Sequence, residues 1–234
     1  MDAGGYAFLQ MRRHVSRGRL RAMSQPTLLV ADDHPLFRAA LIQVLHDRYP
    51  QFRIVEAASA QTVGTAMQEY PEIELVLLDL AMPGARGFSS LLHLRGEYAQ
   101  VPVIVISSND DSRIIRRAQQ FGAAGFISKS AAAEDMSAAI DDVLNGDVSF
   151  PSMVAERSEA DATLAARLAQ LTPQQFRVLL CIADGLLNKQ IAHELGLAEN
   201  TVKVHVTAIL KKLECYSRTQ AAVLVKSLEN DHEV

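Results

Sequence analysis

Five polar residues stand where oily runs end. Asp32 and Asp33 close "TLLVADD" (27–33), Asp79 closes the apolar part of "IELVLLDL" (73–80), Ser107 falls in "VPVIVISS" (101–108), and Lys129 ends "AGFISK" (124–129). Burying an unpaired acid costs several kcal/mol, roughly 2–7 even for a neutral polar group. Asp79, set in "VLLDLAMPG" (76–84), therefore calls for partners. Three carboxylates cannot share a small site without a cation, and an all-oxygen donor set suits Mg²⁺. With the ion bound, an ionised Asp79 can attack phosphorus and form an acyl phosphate, since carboxylates serve as covalent nucleophiles. The added phosphoryl charge needs stabilisation, which the Lys129 ammonium and the Ser107 hydroxyl can supply.

Those five residues converge only if their runs are neighbouring strands. The runs above, with "FRIVEAA" (52–58), read as five β-strands. Helical spacing fills the intervals: Phe37, Ala40, Leu41, Val44 and Leu45 after the first strand, then 60–70, 87–97 and 110–121, and last Met136, Ala139, Ile140, Val143 and Leu144. The run 73–80 is oily throughout, as expected of a central strand covered on both faces. Alternating strands and helices predict a five-stranded parallel α/β sheet, doubly wound, which binds ligands at the carboxyl ends of its strands.

The second half reads differently. Residues 151–167, with Pro, Ser, acids and alanines, look like a linker, helical toward its end. From Leu171 the pattern is helical only. "LTPQQ" places Thr172 as N-cap, Pro173 in the first turn and Gln175 three beyond the cap. Gly185 and Gly196 end the first two helices, a third carries Val202, Val206, Ile209, Leu210 and Leu213 on one side, and "SRTQ" (217–220) opens a fourth. Short helices joined by Gly-bearing turns predict a helix-turn-helix. Asn200, Lys203, Thr207 and Lys211 share the face opposite the oily one, as a major-groove probe requires.

Charge divides the same way. Residues 27–150 hold 9 Lys/Arg against 16 Asp/Glu, and residues 168–226 hold 7 against 4. An acidic front and a basic back suggest modules with different partners. No apolar run approaches the ~18 residues of a membrane helix. Cys181 and Cys215 sit inside helical patterns and do not read as a disulfide framework, so a reducing cytoplasm is expected. Residues 1–26 are basic and too polar for a secretory signal. They read as a disordered tail or as sequence upstream of a start at Met11 or Met23, with a nucleic-acid-touching arm as the functional alternative.

Taken together, "ADDH" (31–34), "LLDLAMPG" (77–84), "VIVISS" (103–108) and "GFISKS" (125–130) resemble the receiver domain of two-component response regulators, flavodoxin-like in fold. The resemblance implies that Asp79 accepts phosphoryl from a phosphohistidine of a sensor histidine kinase. It implies that Asp33 and Asp79 ligate Mg²⁺, with Asp32 assisting and the Ala81 backbone carbonyl a further ligand. Ser107 and Phe126 would be the switch pair. "GLLNKQIAHELGLAENTVKVHVTAILKKL" (185–213) resembles the LuxR/NarL-type helix-turn-helix. That similarity implies that Lys203, Val204 and Thr207 approach base edges of double-stranded DNA. Asn188, Lys189, Thr201, His205 and Lys211 are then candidates for phosphate contact or positioning, with Asn200 on the same reading face. Arg177 departs from the pattern, standing where that family usually has Glu. The expected whole is a homodimeric transcription regulator on DNA, an acceptor of phosphoryl with at most slow self-dephosphorylation and no membrane association. The rivals are an Asp-nucleophile phosphatase, which usually needs a second Asp where Ala81 stands, a nucleotide- or flavin-binding sheet, which needs a Gly-rich loop after the first strand, and a transcription factor without phosphorylation.

Overall fold

A computed structural model describes residues 25–85, 87–151 and 159–229. The basic tail expected at 1–26 lies almost wholly outside the described residues, as do positions 152–158 of the expected linker. The described chain opens with five alternating units: β1 (Thr27–Ala31), α1 (Pro35–Arg48), β2 (Arg53–Ala57), α2 (Ala60–Glu69), β3 (Ile73–Asp79), α3 (Phe88–Glu97), β4 (Val103–Ser107), α4 (Ser112–Gln120), β5 (Gly125–Ser128) and α5 (Ala133–Leu144). All strand pairings are parallel, in the order β2-β1-β3-β4-β5. The doubly wound expectation holds, with β3 central and six of its seven residues buried.

Strand alternation sorts the core into two layers. Leu28, Val30, Leu75, Leu77, Ile104 and Ile106 pack with Leu41 and Leu45 of α1 and Ile140 of α5. Leu29, Ala31, Leu78, Val103 and Val105 pack on the other side with α2, α3 and α4. A side-chain period of two makes this sorting automatic once register is set. The register slips where Thr27 pairs with Ile73 but Leu28 pairs with Leu75, so Glu74 is the extra residue of a bulge. Gly125 has a packing reason: a Cβ there would lie 2.9 Å from the Ser149 carbonyl, which accepts the Phe126 N–H.

The remaining helices are α6 (Glu159–Leu168), α7 (Pro173–Ala183), α8 (Asn188–Glu194), α9 (Glu199–Leu213) and α10 (Arg218–Glu229). Thr172 caps α7 as the spacing predicts. Its Oγ1 accepts the Gln175 N–H, and Gln175 Oε1 accepts the Thr172 N–H in return at 3.1 Å. At the start of α10 only half of that box forms. Ser217 Oγ accepts the Gln220 N–H, but Gln220 Oε1 turns to the Tyr216 N–H at 2.8 Å. Gly185 and Gly196 follow α7 and α8 with φ of +77° and +64°, the left-handed turn that glycine takes at least cost. Ala221, Val225 and Leu228 of α10 are buried in the helical core, so most of its apolar face is used inside the domain.

The two halves touch. Arg177 of α7 pairs with Glu97 of α3 at 2.9 Å, and the Phe176 ring stacks on His93 with centroids 6.4 Å apart. Helix α6 is part of the joint: Ala165 and Leu168 are buried, and Asp161 lies 3.6 Å from Arg117 of α4.

Candidate functional site

Sheet topology delivers the acids. Strands β1 and β3 are adjacent and parallel, so their carboxyl ends bring Asp32 and Asp79 side by side. Asp32 is fully buried and Asp79 is 2% exposed. Lys129, just beyond β5, reaches both: Nζ lies 2.7 Å from Asp32 Oδ2 and donates to Asp79 Oδ2 at 2.8 Å. Burial opposes the lysine's charge, but hydrogen bonds and charge from Asp32 and Asp79 outweigh it and hold the ammonium above its ordinary range. The Phe37 ring, 5.2 Å from Nζ, adds a cation–π contact. Asp79 Oδ1 accepts the Ala81 N–H at 3.0 Å, which sets the Ala81 backbone beside the carboxylate.

Asp33 is half-buried, and its Oδ1 faces the His34 ring. Ligand atoms of Asp32, Asp33, His34 and Asp79 all lie within 4.8 Å of one another. Three clustered carboxylates facing one ammonium leave negative charge that a hard divalent cation can balance, so the residues present are compatible with Mg²⁺. Two neighbours escaped the sequence reading. His34 is 62% exposed at the side chain, yet its Nδ1 lies 3.0 Å from Asp33 Oδ1 and 3.1 Å from Lys129 Nζ. Arg38 donates to the Asp32 carbonyl at 2.6 Å and pairs with Glu56 at 2.9 Å. One turn of helix after Pro35 places Arg38 there, a spacing signal that could have found it.

Ser107 ends β4 one position past Ile106, the register partner of Asp79. No hydrogen bond joins its hydroxyl to Asp79 among the described residues; Oγ accepts the Asn109 N–H at 3.0 Å. Its carbonyl accepts the Lys129 N–H at 2.8 Å, which fixes the lysine's backbone beside it. Phe126 is 3% exposed and belongs to the core layer on the α2, α3 and α4 side of the sheet.

The second candidate surface is α9. Asn200, Thr201, Lys203, Val204, Thr207 and Lys211 are exposed, while Val202, Ile209 and Leu213 of the same helix are buried; His205 is half-buried. Val204, 68% exposed, offers an apolar contact among the polar ones. Lys203 pairs with Glu199 at 3.0 Å, and the Thr207 hydroxyl donates to the Lys203 carbonyl at 3.0 Å. On α8, Lys189 is exposed and Asn188 Oδ1 accepts from Arg218 Nη1 at 2.9 Å. Arg218 also donates to the Leu186 carbonyl. Lys212 donates to the Gln170 carbonyl at 2.9 Å and to Gln175 Oε1 at 2.7 Å. Both residues tie separate helices of this domain together, which the motif did not reveal because their partners are distant in sequence.

Comparison with known proteins finds two family models. Residues 28–141 match one described as a response regulator receiver domain, and residues 169–225 match one described as bacterial regulatory proteins, luxR family. The chain is 39% identical over 203 residues to the glycerol metabolism activator of Pseudomonas putida, covering 83% of this chain and 92% of that one. It is 35% identical over 204 residues to the nitrate/nitrite response regulator protein NarL of Escherichia coli K12, covering 85% and 94%. Among solved structures, RcsB from Salmonella enterica serovar Typhimurium, bound to a promoter in the presence of the phosphomimetic BeF₃⁻, superposes with a TM-score of 0.50 at 21% identity, covering 87% and 99%; that likeness concerns the fold.

Proposed function

The chain belongs to the two-component response regulators with a luxR-type DNA-binding domain, which are transcription regulators, and from that membership we propose that Mg²⁺-dependent phosphorylation of Asp79 by a sensor histidine kinase switches it. The observation that carries the reading is a buried Asp79 carboxylate held by Lys129 at 2.8 Å beside Asp32 and Asp33, at the carboxyl edge of the sheet. Asp33, Asp79 and the Ala81 carbonyl would hold the ion, with Asp32 assisting. When bound, the ion supplies positive charge that lets a phosphoanion approach the acids and polarises it.

An oxygen of Asp79 attacks phosphorus. The O–P bond forms as the donor's N–P bond breaks, and the imidazole keeps the electron pair and takes up a proton. Lys129 stays on the phosphoryl oxygens as the second cation. The Ser107 hydroxyl, now an acceptor for the Asn109 N–H, can rotate to donate to the new group. Phe126, the other member of the proposed switch pair, is buried in this structure, at 3% exposure. Phosphorylation then acts by population shift, since the phosphoryl group binds one arrangement better than the other.

On the DNA side, Lys203, Val204 and Thr207 read base edges. Asn188, Lys189, Asn200, Thr201, His205 and Lys211 hold the backbone or position the helix. One small helix-turn-helix makes few phosphate contacts, so a homodimer on two half-sites is the expected binding form. The decisive experiment incubates the full chain with acetyl phosphate and Mg²⁺. A hydroxylamine-sensitive adduct on Asp79, absent in Asp79→Asn, accompanied by at least roughly tenfold tighter DNA binding, about 1.4 kcal/mol, is the expected result. Equal DNA binding by both proteins rejects the switch.

A further inference from the structure

The turn that carries Asp33 is held on both sides. The β1–β2 ladder ends at the pair Ala31–Ala57, and the Asp32 N–H makes one more bond, to the Ala57 carbonyl at 3.0 Å. Beyond it, the Asp32 carbonyl accepts from Arg38 Nη1 at 2.6 Å, and Asp32 Oδ1 accepts the His34 N–H at 2.7 Å. The Asp32 carbonyl and the Asp33 N–H belong to one rigid peptide plane, and the Asp33 carbonyl and the His34 N–H to the next. Pinning both planes fixes the two backbone torsions of Asp33, and with them the direction in which its side chain leaves the chain. Arg38 pins the first plane and is itself held, since its Nε donates to Glu56 Oε2 of β2 at 2.9 Å.

We infer that Arg38 is a positioning residue for the Asp33 carboxylate, with Glu56 as its tether, and that the pair sets how tightly the acidic edge takes up Mg²⁺. The inference rests on the proposed Mg²⁺-dependent reading of that edge. Stability alone is a poor reason for the arrangement: Glu56 is 56% exposed at the side chain, and ion pairs open to water contribute little. Fork geometry is a better one. A planar guanidinium donates in two fixed directions at once, here to a backbone carbonyl and to a carboxylate, and Arg38 is only 18% exposed at the side chain while doing so. Ordering so long a side chain costs rotamer freedom, which the Glu56 tether offsets. Residues that hold metal ligands from outside the ligand set commonly change metal affinity by about 10–100-fold when removed.

The test measures Mg²⁺ binding to the full chain by calorimetry, and beside it the half-saturating Mg²⁺ for labelling of Asp79 by acetyl phosphate. Arg38→Met should raise both roughly tenfold, and excess Mg²⁺ should recover the labelling rate. Glu56→Ala should raise both by a smaller factor, whereas Glu56→Gln, which keeps an acceptor for Nε, should restore the natural affinity. Glu56→Ala also stands in should Arg38→Met fail to fold by circular dichroism, since it removes the tether without touching the turn. Unchanged Mg²⁺ affinity in the folded variant overturns the inference, as does a labelling rate that stays low at saturating Mg²⁺. A Glu56→Gln chain that binds no better than Glu56→Ala overturns the tether. Each of these results leaves the reading of Asp79 standing. A natural chain that takes up no Mg²⁺ overturns the metal reading itself, and the inference with it.

Discussion

Lys129 concentrates the electrostatics of the acidic edge in one side chain, since it is 12% exposed and is the cation shared by Asp32 and Asp79. Removing one partner of a buried ion pair leaves the others uncompensated, at a cost of about 3–5 kcal/mol. Lys129→Ala is therefore expected to lower unfolding stability by roughly 3 kcal/mol in metal-free buffer, measured by urea denaturation. Millimolar Mg²⁺ should restore part of the loss, because a ligand of the native state stabilises it by mass action. A variant that is equally stable with and without the ion would remove the argument for a cation among these carboxylates. The acids, Ser107 and Lys129 were legible as a set because each ends an oily run and parallel topology sends all such ends to one edge. His34 was not, because whether a ring after a strand turns out or back depends on side-chain torsion, to which hydrophobic pattern is blind.

Individual elements carry their own signals. The capping pair at Thr172 and Gln175 formed as spacing required, whereas at the start of α10 Gln220 caps the neighbouring Tyr216 N–H instead. The slip at Glu74 could not be read, since it depends on pairing with β1 rather than on the run itself. Helix α9 begins at Ala198, which has an extended N-cap backbone but no capping side chain. Ala198→Ser should supply the missing acceptor and raise stability by about 0.5–1 kcal/mol in thermal unfolding. Helices α1 and α5 are joined where the Tyr49 hydroxyl donates to Asp141 at 2.8 Å and Arg48 pairs with Asp141 at 2.9 Å. The Arg48 hydrogen bond holds the Asp141 carboxyl below its ordinary value of 3.8, burial opposing and Tyr49 assisting. A depressed folded value stabilises above the unfolded one and is lost as pH falls through the folded one. Asp141→Asn should thus be slightly less stable than the natural chain at pH 7, with the gap closing below pH 3.8 in denaturant titrations.

At the scale of the whole molecule, the division into an acidic sheet and a basic helical domain was readable from charge and periodicity. The way they dock was not. Glu97 and Arg177 are far apart in sequence, and no periodic pattern connects them. Among the described residues, no helix is long and apolar enough to cross a membrane. The joint rests partly on an ion pair whose members are 19% and 45% exposed at the side chain, so salt should loosen it. Arg177→Glu places like charges together. Small-angle scattering should then give a larger radius of gyration, with Asp79 labelling unchanged; an unaltered radius would show that apolar contacts alone hold the halves together.

Under the proposed phosphorylation of Asp79, the double reach of Lys129 would bound what the new group can do. Three carboxylates and one ammonium formally sum to minus two, which a doubly charged ion neutralises. Esterifying one carboxylate removes a negative charge, and the attached PO₃ brings about two, as phosphoryl groups on protein oxygens do near neutral pH. The edge of the sheet therefore changes by a single formal unit. So small a step would give little long-range field, and the proposed switch would act through directed contacts such as a reoriented hydroxyl.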